Sequence, residues 1–328
     1  MDSLKFAFDT MIVGALALPW LWLFMRIFFQ TGTGEQDLAF PVLSAMSDAT
    51  RQAVGGVLIL ALGYFLGSAV SRISSDFFDD NEILGGMPTQ TSIRQGVYLH
   101  EYCDDHGVLM ATKLPEELIA LTGGRAALCQ ETGDIRSPMV TEFFSLQESK
   151  LLLQGEDKLG RLREFHDQIE ILRGATLNGG ILFMLSWFGL CALYRARLPA
   201  GKPGRARLWA SYAPAVACLL IGLWELSQHF AHLVEVRAHR LAAGAIGSIP
   251  NPYEIHRDPP LAEILLVLLG VGGLCLRLTH DNPRLFRNVC LMAGILTLIA
   301  YGSWWWTEVL YDQQVIHSFP TNLQASLR

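Results

Sequence analysis

The stretch 289–306 reads VCLMAGILTLIAYGSWWW, and none of its residues carries a charge. A bilayer hydrocarbon core is about 30 Å thick, so a helix that rises about 1.5 Å per residue needs roughly 20 mostly apolar residues to cross it. The stretch comes close to that length, and it ends in three tryptophans, a residue type that is enriched at membrane–water interfaces. It predicts a membrane-spanning helix that ends in an interfacial anchor.

Upstream of this stretch lie five further apolar blocks, at 10–29, 53–70, 177–194, 208–226 and 261–276. Their centres are almost free of ionised groups, since Arg26, Glu225 and Glu263 lie near block ends, where a side chain can reach the headgroups. The first block continues past Ala17 without a break, which favours an uncleaved anchor over a signal peptide. The sequence therefore predicts an all-α fold, a polytopic membrane helix bundle of about six transmembrane helices.

The composition of the whole chain agrees with this architecture. Of 328 residues, 51% are hydrophobic and 17% are charged, whereas about a quarter of the residues are charged in soluble domains. A disordered chain is excluded by this composition, and the net charge of −6 gives no support to nucleic-acid binding.

The charge lies mostly between the blocks and predicts three regions. These are a two-helix membrane hairpin at 1–71, an extramembrane insertion at 72–176, and a four-helix membrane region at 177–328. Within the insertion, apolar residues repeat at helical spacing over 151–172, so we expect it to be mainly helical.

Basic residues in the short loops predict the orientation of the protein. The loop 195–207 carries five arginines and lysines and no acid, and three arginines lie in or beside the turn at 277–287. By the parity of the blocks both loops lie on one side, which we expect to be the cytoplasm. The insertion 72–176 and both termini are then expected outside, and the bilayer is expected to be a bacterial cytoplasmic membrane. The basic stretch 158–163 points the other way, but long loops translocate with little regard to charge.

A first group of candidate functional residues lies in the insertion. Imidazole and thiolate ligands, which zinc and copper prefer, occur together at His100, Cys103 and His106. The two histidines are six residues apart, so one regular helix cannot aim all three side chains at one point. Cys103 and Cys129 are the two cysteines outside the blocks, and in an exported insertion they can form a disulfide. A disulfide, two unpaired cysteines and a metal site all stay open.

A second group follows the fourth block. Glu225, His229, His232 and His239 are spaced four, three and seven residues apart, which places them on one face of a helix, here called the histidine face. Carboxylate and imidazole side chains are metal ligands and acid–base groups in membrane-bound enzymes. The competing interpretation is a polar helix face that reaches water or headgroups. We assign no cofactor and keep these four residues as candidate metal ligands.

The second block has a glycine face. Gly56, Gly63 and Gly67 recur at steps of seven and four residues, and such small residues let helices approach closely in lipid. This face predicts helix association, with a second copy of the chain or another membrane protein as the partner.

Motifs for nucleophilic catalysis, phosphate loops, dinucleotide binding and Cys-x-x-Cys chemistry do not occur in the sequence. The sequence therefore favours a multi-pass membrane protein that is not an enzyme, acting as a scaffold, sensor or pore-type effector through helix association. The alternative is a membrane-embedded metal-dependent enzyme that uses the histidine face.

Overall fold

A computed structural model of the chain describes residues 2–29, 48–78, 89–102, 144, 156–196, 205–244, 260–276 and 283–317. Seven helices occupy nearly all of these residues, and no strand occurs among them. In chain order they are α1 Asp2–Phe29, α2 Asp48–Phe78, α3 Gln90–Tyr102, α4 Glu156–Ala196, α5 Arg205–Gly244, α6 Leu261–Cys275 and α7 Pro283–His317. The prediction of an all-α chain is confirmed for the described residues.

Five of the described helices are long and apolar enough to cross a membrane. Their apolar stretches are Ala7–Met25 in α1, Gly55–Ser75 in α2, Leu162–Ala196 in α4, Trp209–Gln228 in α5 and Pro283–Ile316 in α7. Large apolar side chains are exposed along them, for example Val57 and Phe65 in α2 and Leu298 in α7. Contiguous exposed apolar surface is rare on soluble proteins and is what a lipid-facing helix requires. The chain is a multi-pass membrane protein.

The block at 261–276 forms α6, which is shorter than the other apolar helices. Its 15 residues extend about 22 Å at 1.5 Å per residue, less than the roughly 30 Å of the hydrocarbon core. Length and hydropathy together therefore support five membrane spans among the described residues. The sixth span stays a prediction.

Two compact units make up the chain. Unit 1 is Met1–Phe77 with Gly174–Ile299, and unit 2 is Phe78–Arg173 with Ala300–Arg328. Two helices, α4 and α7, contribute several turns to both units without a break in the helix, and α2 contributes its last residue, Phe78, to unit 2. Unit 2 thus combines α3 and the first part of α4 with the last part of α7, a combination that adjacency in the sequence does not reveal.

In unit 1, α1 and α2 pack antiparallel at a glycine contact. Gly14 lies against the backbone carbonyl of Gly63, and Gly67 lies against the backbone carbonyl of Thr10. A Cβ atom on Gly14 or Gly67 would overlap these carbonyl oxygens, so the close approach requires glycine. Around Gly56, by contrast, no described atom lies within 4 Å of the place where a Cβ would be.

The other helices of unit 1 also pack in opposite directions. Between α4 and α7, Gly179 meets Thr297 and Gly189 meets Phe286. Between α5 and α6, Gly222 meets Val267 and Gly270 meets Leu219. In both pairs residue numbers rise on one helix as they fall on the other. Each pair is therefore antiparallel, with a small residue at each contact.

A polar contact joins α1 to α4. The side-chain nitrogen Nδ2 of Asn178 donates a hydrogen bond to the carbonyl oxygen of Val13 at 2.9 Å. Its Oδ1 accepts one from Nε1 of Trp20 at 2.8 Å. Asn178 is buried. Its polar side chain is tolerated among apolar helices because both ends of the amide are hydrogen-bonded.

Replacing Gly67 by alanine should destabilise the protein, because the new methyl group meets the Thr10 carbonyl. Overpacking of this kind typically costs about 1–3 kcal/mol. Gly56→Ala is the matched control, since alanine at an open helical position is favoured over glycine by about 1 kcal/mol. The measurement is the free energy of unfolding in mild detergent. Equal effects of the two substitutions would contradict the α1–α2 contact.

Candidate functional site

Unit 2 holds four charged side chains away from solvent. Arg94 of α3 pairs with Asp312 of α7 at 3.4 Å between Nε and Oδ1, and these side chains are 13% and 0% exposed. Arg173 of α4 pairs with Glu308 of α7 at 3.6 Å between Nη2 and Oε2, with exposures of 7% and 0%. These four residues are called the charged cluster. Two cations and two anions make its formal charge zero.

A part-buried hydrogen bond fixes the register of α3 on α7. Nε2 of Gln90 donates to Oε1 of Glu308 at 2.6 Å. Gln90 and Arg94 are one helical turn apart on α3, and their partners Glu308 and Asp312 are one turn apart on α7. The two helices therefore run parallel here, with polar side chains matched turn by turn.

Aromatic rings complete the surroundings of both arginines. Cζ of Arg94 lies 5.4 Å from the ring centroid of Phe144, and Cζ of Arg173 lies 5.8 Å from that of Trp304. Both rings are fully buried, and Phe78 packs on Trp304 with 4.8 Å between ring centroids. A guanidinium within about 6 Å of an aromatic ring gains a cation–π attraction. Each arginine thus has a carboxylate and a ring as neighbours.

Burial of these charges points to specificity more than to stability. Removing an ion from water carries a penalty of several kcal/mol, which the attraction between partners offsets only when the geometry is good. Apolar residues could fill the same space without that penalty. What an ion-pair network adds is one defined arrangement of α3, α4 and α7, since any other arrangement leaves a charge buried without its partner.

Sequence analysis missed this site. Gln90 and Glu308 are 218 residues apart, and no pattern in a single sequence indicates which distant helices pair. One signal was present, because Glu308 and Asp312 follow the tryptophans of the last block at a spacing of four residues. That spacing marks one polar face on an otherwise apolar helix.

The candidate metal ligands that the sequence did select are not brought together in the described part of the chain. His100 is an exposed residue of α3, and Glu225 is half-buried on α5, which continues through the whole histidine face. The structure leaves undescribed the side chains of Cys103, His106, Cys129, His229, His232 and His239. Among described residues, no three metal-ligating side chains form a group. The disulfide and the metal site stay predictions.

Unit 1 has a second polar contact, at the end of α4. Nη2 of Arg195 donates to the carbonyl oxygen of Leu276 at 2.9 Å and reaches that of Gly273 at 3.4 Å. Its guanidinium carbon also lies 4.1 Å from the ring centroid of Tyr212 on α5. Arg195 thereby satisfies carbonyl groups at the end of α6, which have no partner within their own helix. Arg195, the first residue of one basic loop, therefore contacts Leu276, which directly precedes the other.

No protein-family model, curated protein or solved structure matches the chain. Its function has to be inferred from its own geometry.

Replacing Arg173 by methionine should destabilise unit 2, because Glu308 keeps its buried charge and loses its cation. Removing one partner of a buried pair costs about 3–5 kcal/mol, whereas neutralising both partners is often without net cost. The double variant Arg173→Met with Glu308→Gln should therefore recover most of the lost stability. Thermal and denaturant unfolding in mild detergent provide the measurement.

The exposed pair His166–Glu170 serves as the control for this experiment. Its side chains are 62% and 41% exposed, so Glu170→Gln should change stability by less than about 0.5 kcal/mol. Equal losses in the single and the double variant would show that Arg173 and Glu308 are not energetically coupled.

Proposed function

We propose that the protein is a non-enzymatic membrane sensor, in which unit 2 receives a partner or signal and α4 and α7 carry the response into unit 1. One observation supports this most strongly. The charged cluster joins α4 to α7 through Arg173 and Glu308, and both helices continue without interruption into unit 1. A displacement of these helices in unit 2 can therefore pass to unit 1 through the continuous backbone of each helix.

The chemistry of the cluster suits a two-state element. Gln90 and Arg94 lie on one helix and both of their partners on another, so separating α3 from α7 breaks the two contacts together. Asp312 then loses the Arg94 cation, and Glu308 loses the Gln90 hydrogen bond while it keeps Arg173. A buried carboxylate that loses such a partner is strongly destabilised. Intermediate arrangements are disfavoured, and small signals at such an element are amplified into a change between two states.

A substitution that loosens the cluster should change the reactivity of cysteines in unit 1. Cys290 of α7 and Cys191 of α4 are both half-buried there. Glu308→Gln weakens the link to Arg173, so we expect the labelling rate of these thiols by a membrane-permeant maleimide to change by roughly fivefold, which corresponds to about 1 kcal/mol in the opening equilibrium.

The control is Ser303→Ala, at an exposed position of α7 outside the charged cluster. Mass spectrometry assigns the label, and a Cys290→Ser background separates the two sites. Unchanged rates at both cysteines in Glu308→Gln would contradict transmission along the helices. Membrane depolarisation on overexpression would instead favour a pore.

We further propose a six-span topology with α6 as the shortest span. Support comes from the alternating directions of packed helices and from Arg195, which holds the ends of α4 and α6 together. Loops 195–207 and 277–287 are assigned to the cytoplasm, and the insertion 72–176 and both termini to the outside of a bacterial cytoplasmic membrane. Exposed Trp305 and Trp306 of α7 agree with an anchor at the outer interface.

Thiol labelling of intact cells tests this orientation. A membrane-impermeant maleimide should reach Cys103 and Cys129, which lie in the insertion, and labelling that needs prior reduction would identify a disulfide between them. Cys275 is exposed at the end of α6, on the side assigned to the cytoplasm, and should be labelled only after permeabilisation. Labelling of Cys275 in intact cells, with Cys103 and Cys129 protected, would reverse the topology.

A further inference from the structure

Unit 1 has an apolar groove of about 380 Å³ between α1, α4 and α7. Leu23, Phe286 and Ala293 form its buried floor, and Trp22 and Met292 form exposed edges. The volume falls within the range of roughly 300–1,000 Å³ that is typical of ligand sites. Because its walls are almost entirely hydrocarbon, the groove suits an apolar occupant.

The length of the groove matches one leaflet of a bilayer. Along α7 it extends from Leu285 to Leu296, about 16 Å at 1.5 Å per residue. Half of a hydrocarbon core of about 30 Å has nearly the same length. A single extended acyl chain, entering from one leaflet, fits this depth.

Polar and basic groups gather at one end of the groove, where α7 begins. Asn288 is a polar residue of its lining. Arg284 lies one turn before Asn288 on the same helix face and is exposed, whereas Arg287 shares its face with Leu291, which does not line the groove. From Pro283 onwards α7 has no acidic residue before Glu308. This end of the groove is therefore complementary to a phosphate, and basic pockets between transmembrane helices bind anionic headgroups.

We infer that unit 1 binds one anionic phospholipid, with an acyl chain in this groove and its phosphate beside Arg284 and Asn288. Every residue of the site belongs to unit 1. The inference is independent of the proposed sensor function, and the failure of either leaves the other intact.

Competition between two lipids tests the site. Full-length protein in mild detergent is mixed with equal amounts of phosphatidylglycerol and phosphatidylcholine, and native mass spectrometry counts the lipids that stay bound. One phosphatidylglycerol per chain is the expected result. Replacing Arg284 by glutamine should reduce the preference for phosphatidylglycerol by roughly fivefold, whereas Arg72→Gln on α2 should not.

Matched tryptophan substitutions test the acyl-chain groove. Met292 and Leu291 are adjacent and 59% and 60% exposed, but only Met292 lines the groove. Met292→Trp should therefore lower retention of phosphatidylglycerol by about tenfold, the effect of losing roughly two buried methylene groups, and Leu291→Trp should leave it unchanged. Leu296→Trp, which fills the groove, and Leu298→Trp, which lies outside it, form a second matched pair.

Several results would overturn the inference. Equal binding of phosphatidylglycerol and phosphatidylcholine by the unmodified protein would contradict selection of a headgroup with net negative charge. Unchanged retention of phosphatidylglycerol by both groove-filling variants, with normal elution in size-exclusion chromatography, would contradict the acyl-chain site. Displacement of the lipid by inorganic phosphate alone would show that a free anion, and no membrane lipid, is the ligand.

Discussion

Polar groups in a membrane protein must find partners inside the protein, because lipid offers them none. This constraint explains why the described residues form helices, in which the backbone satisfies its own hydrogen bonds. It also explains the side chains that interrupt the apolar surfaces. Asn178 bonds to α1 through both ends of its amide, and Arg195 bonds to the free carbonyl groups at the end of α6. Each of these polar side chains joins helices that are distant in the sequence.

The two units achieve specific packing by different physical means. In unit 1 the decisive contacts are between backbones, as at Gly67 and Thr10, and depend on shape. Shape has to select the partners there because lipid chains are as apolar as the helices, so burial alone gives no driving force. In unit 2 the decisive contacts are between charges, as at Arg173 and Glu308. Charge selects partners more strictly, since a wrong pairing leaves an ion buried alone.

The sequence predicted the parts of this structure that depend on local pattern. Apolar blocks at 10–29, 53–70, 177–194, 208–226 and 289–306 all lie in helices long enough to cross a membrane, because length and hydropathy are properties of the segment itself. The block at 261–276 is a helix too, but its 15 residues leave the sixth span a proposal.

The charged cluster could not be predicted in the same way. Its members come from three helices and become a site only when those helices meet. Sequence analysis assigned functional interest to histidines and cysteines because metal-ligand chemistry can be recognised in short motifs. An arginine such as Arg94 resembles any surface arginine until its burial is known. Side-chain type was therefore a poor guide to the polar site of unit 2.

The position of Glu308 limits how α7 can move along its own axis. Trp304 lies one turn before Glu308 and Asp312 one turn after it, and all three are fully buried. A shift of α7 by one turn, about 5.4 Å, would in one direction put a carboxylate where the Trp304 ring now lies. In the other direction it would put that ring where Glu308 meets Arg173. Carrying a charge from there towards the lipid-facing stretch would cost at least about 2.5 kcal/mol. Sliding is thus opposed in both directions, so the proposed sensor function requires rotation or tilting of α7 about the cluster.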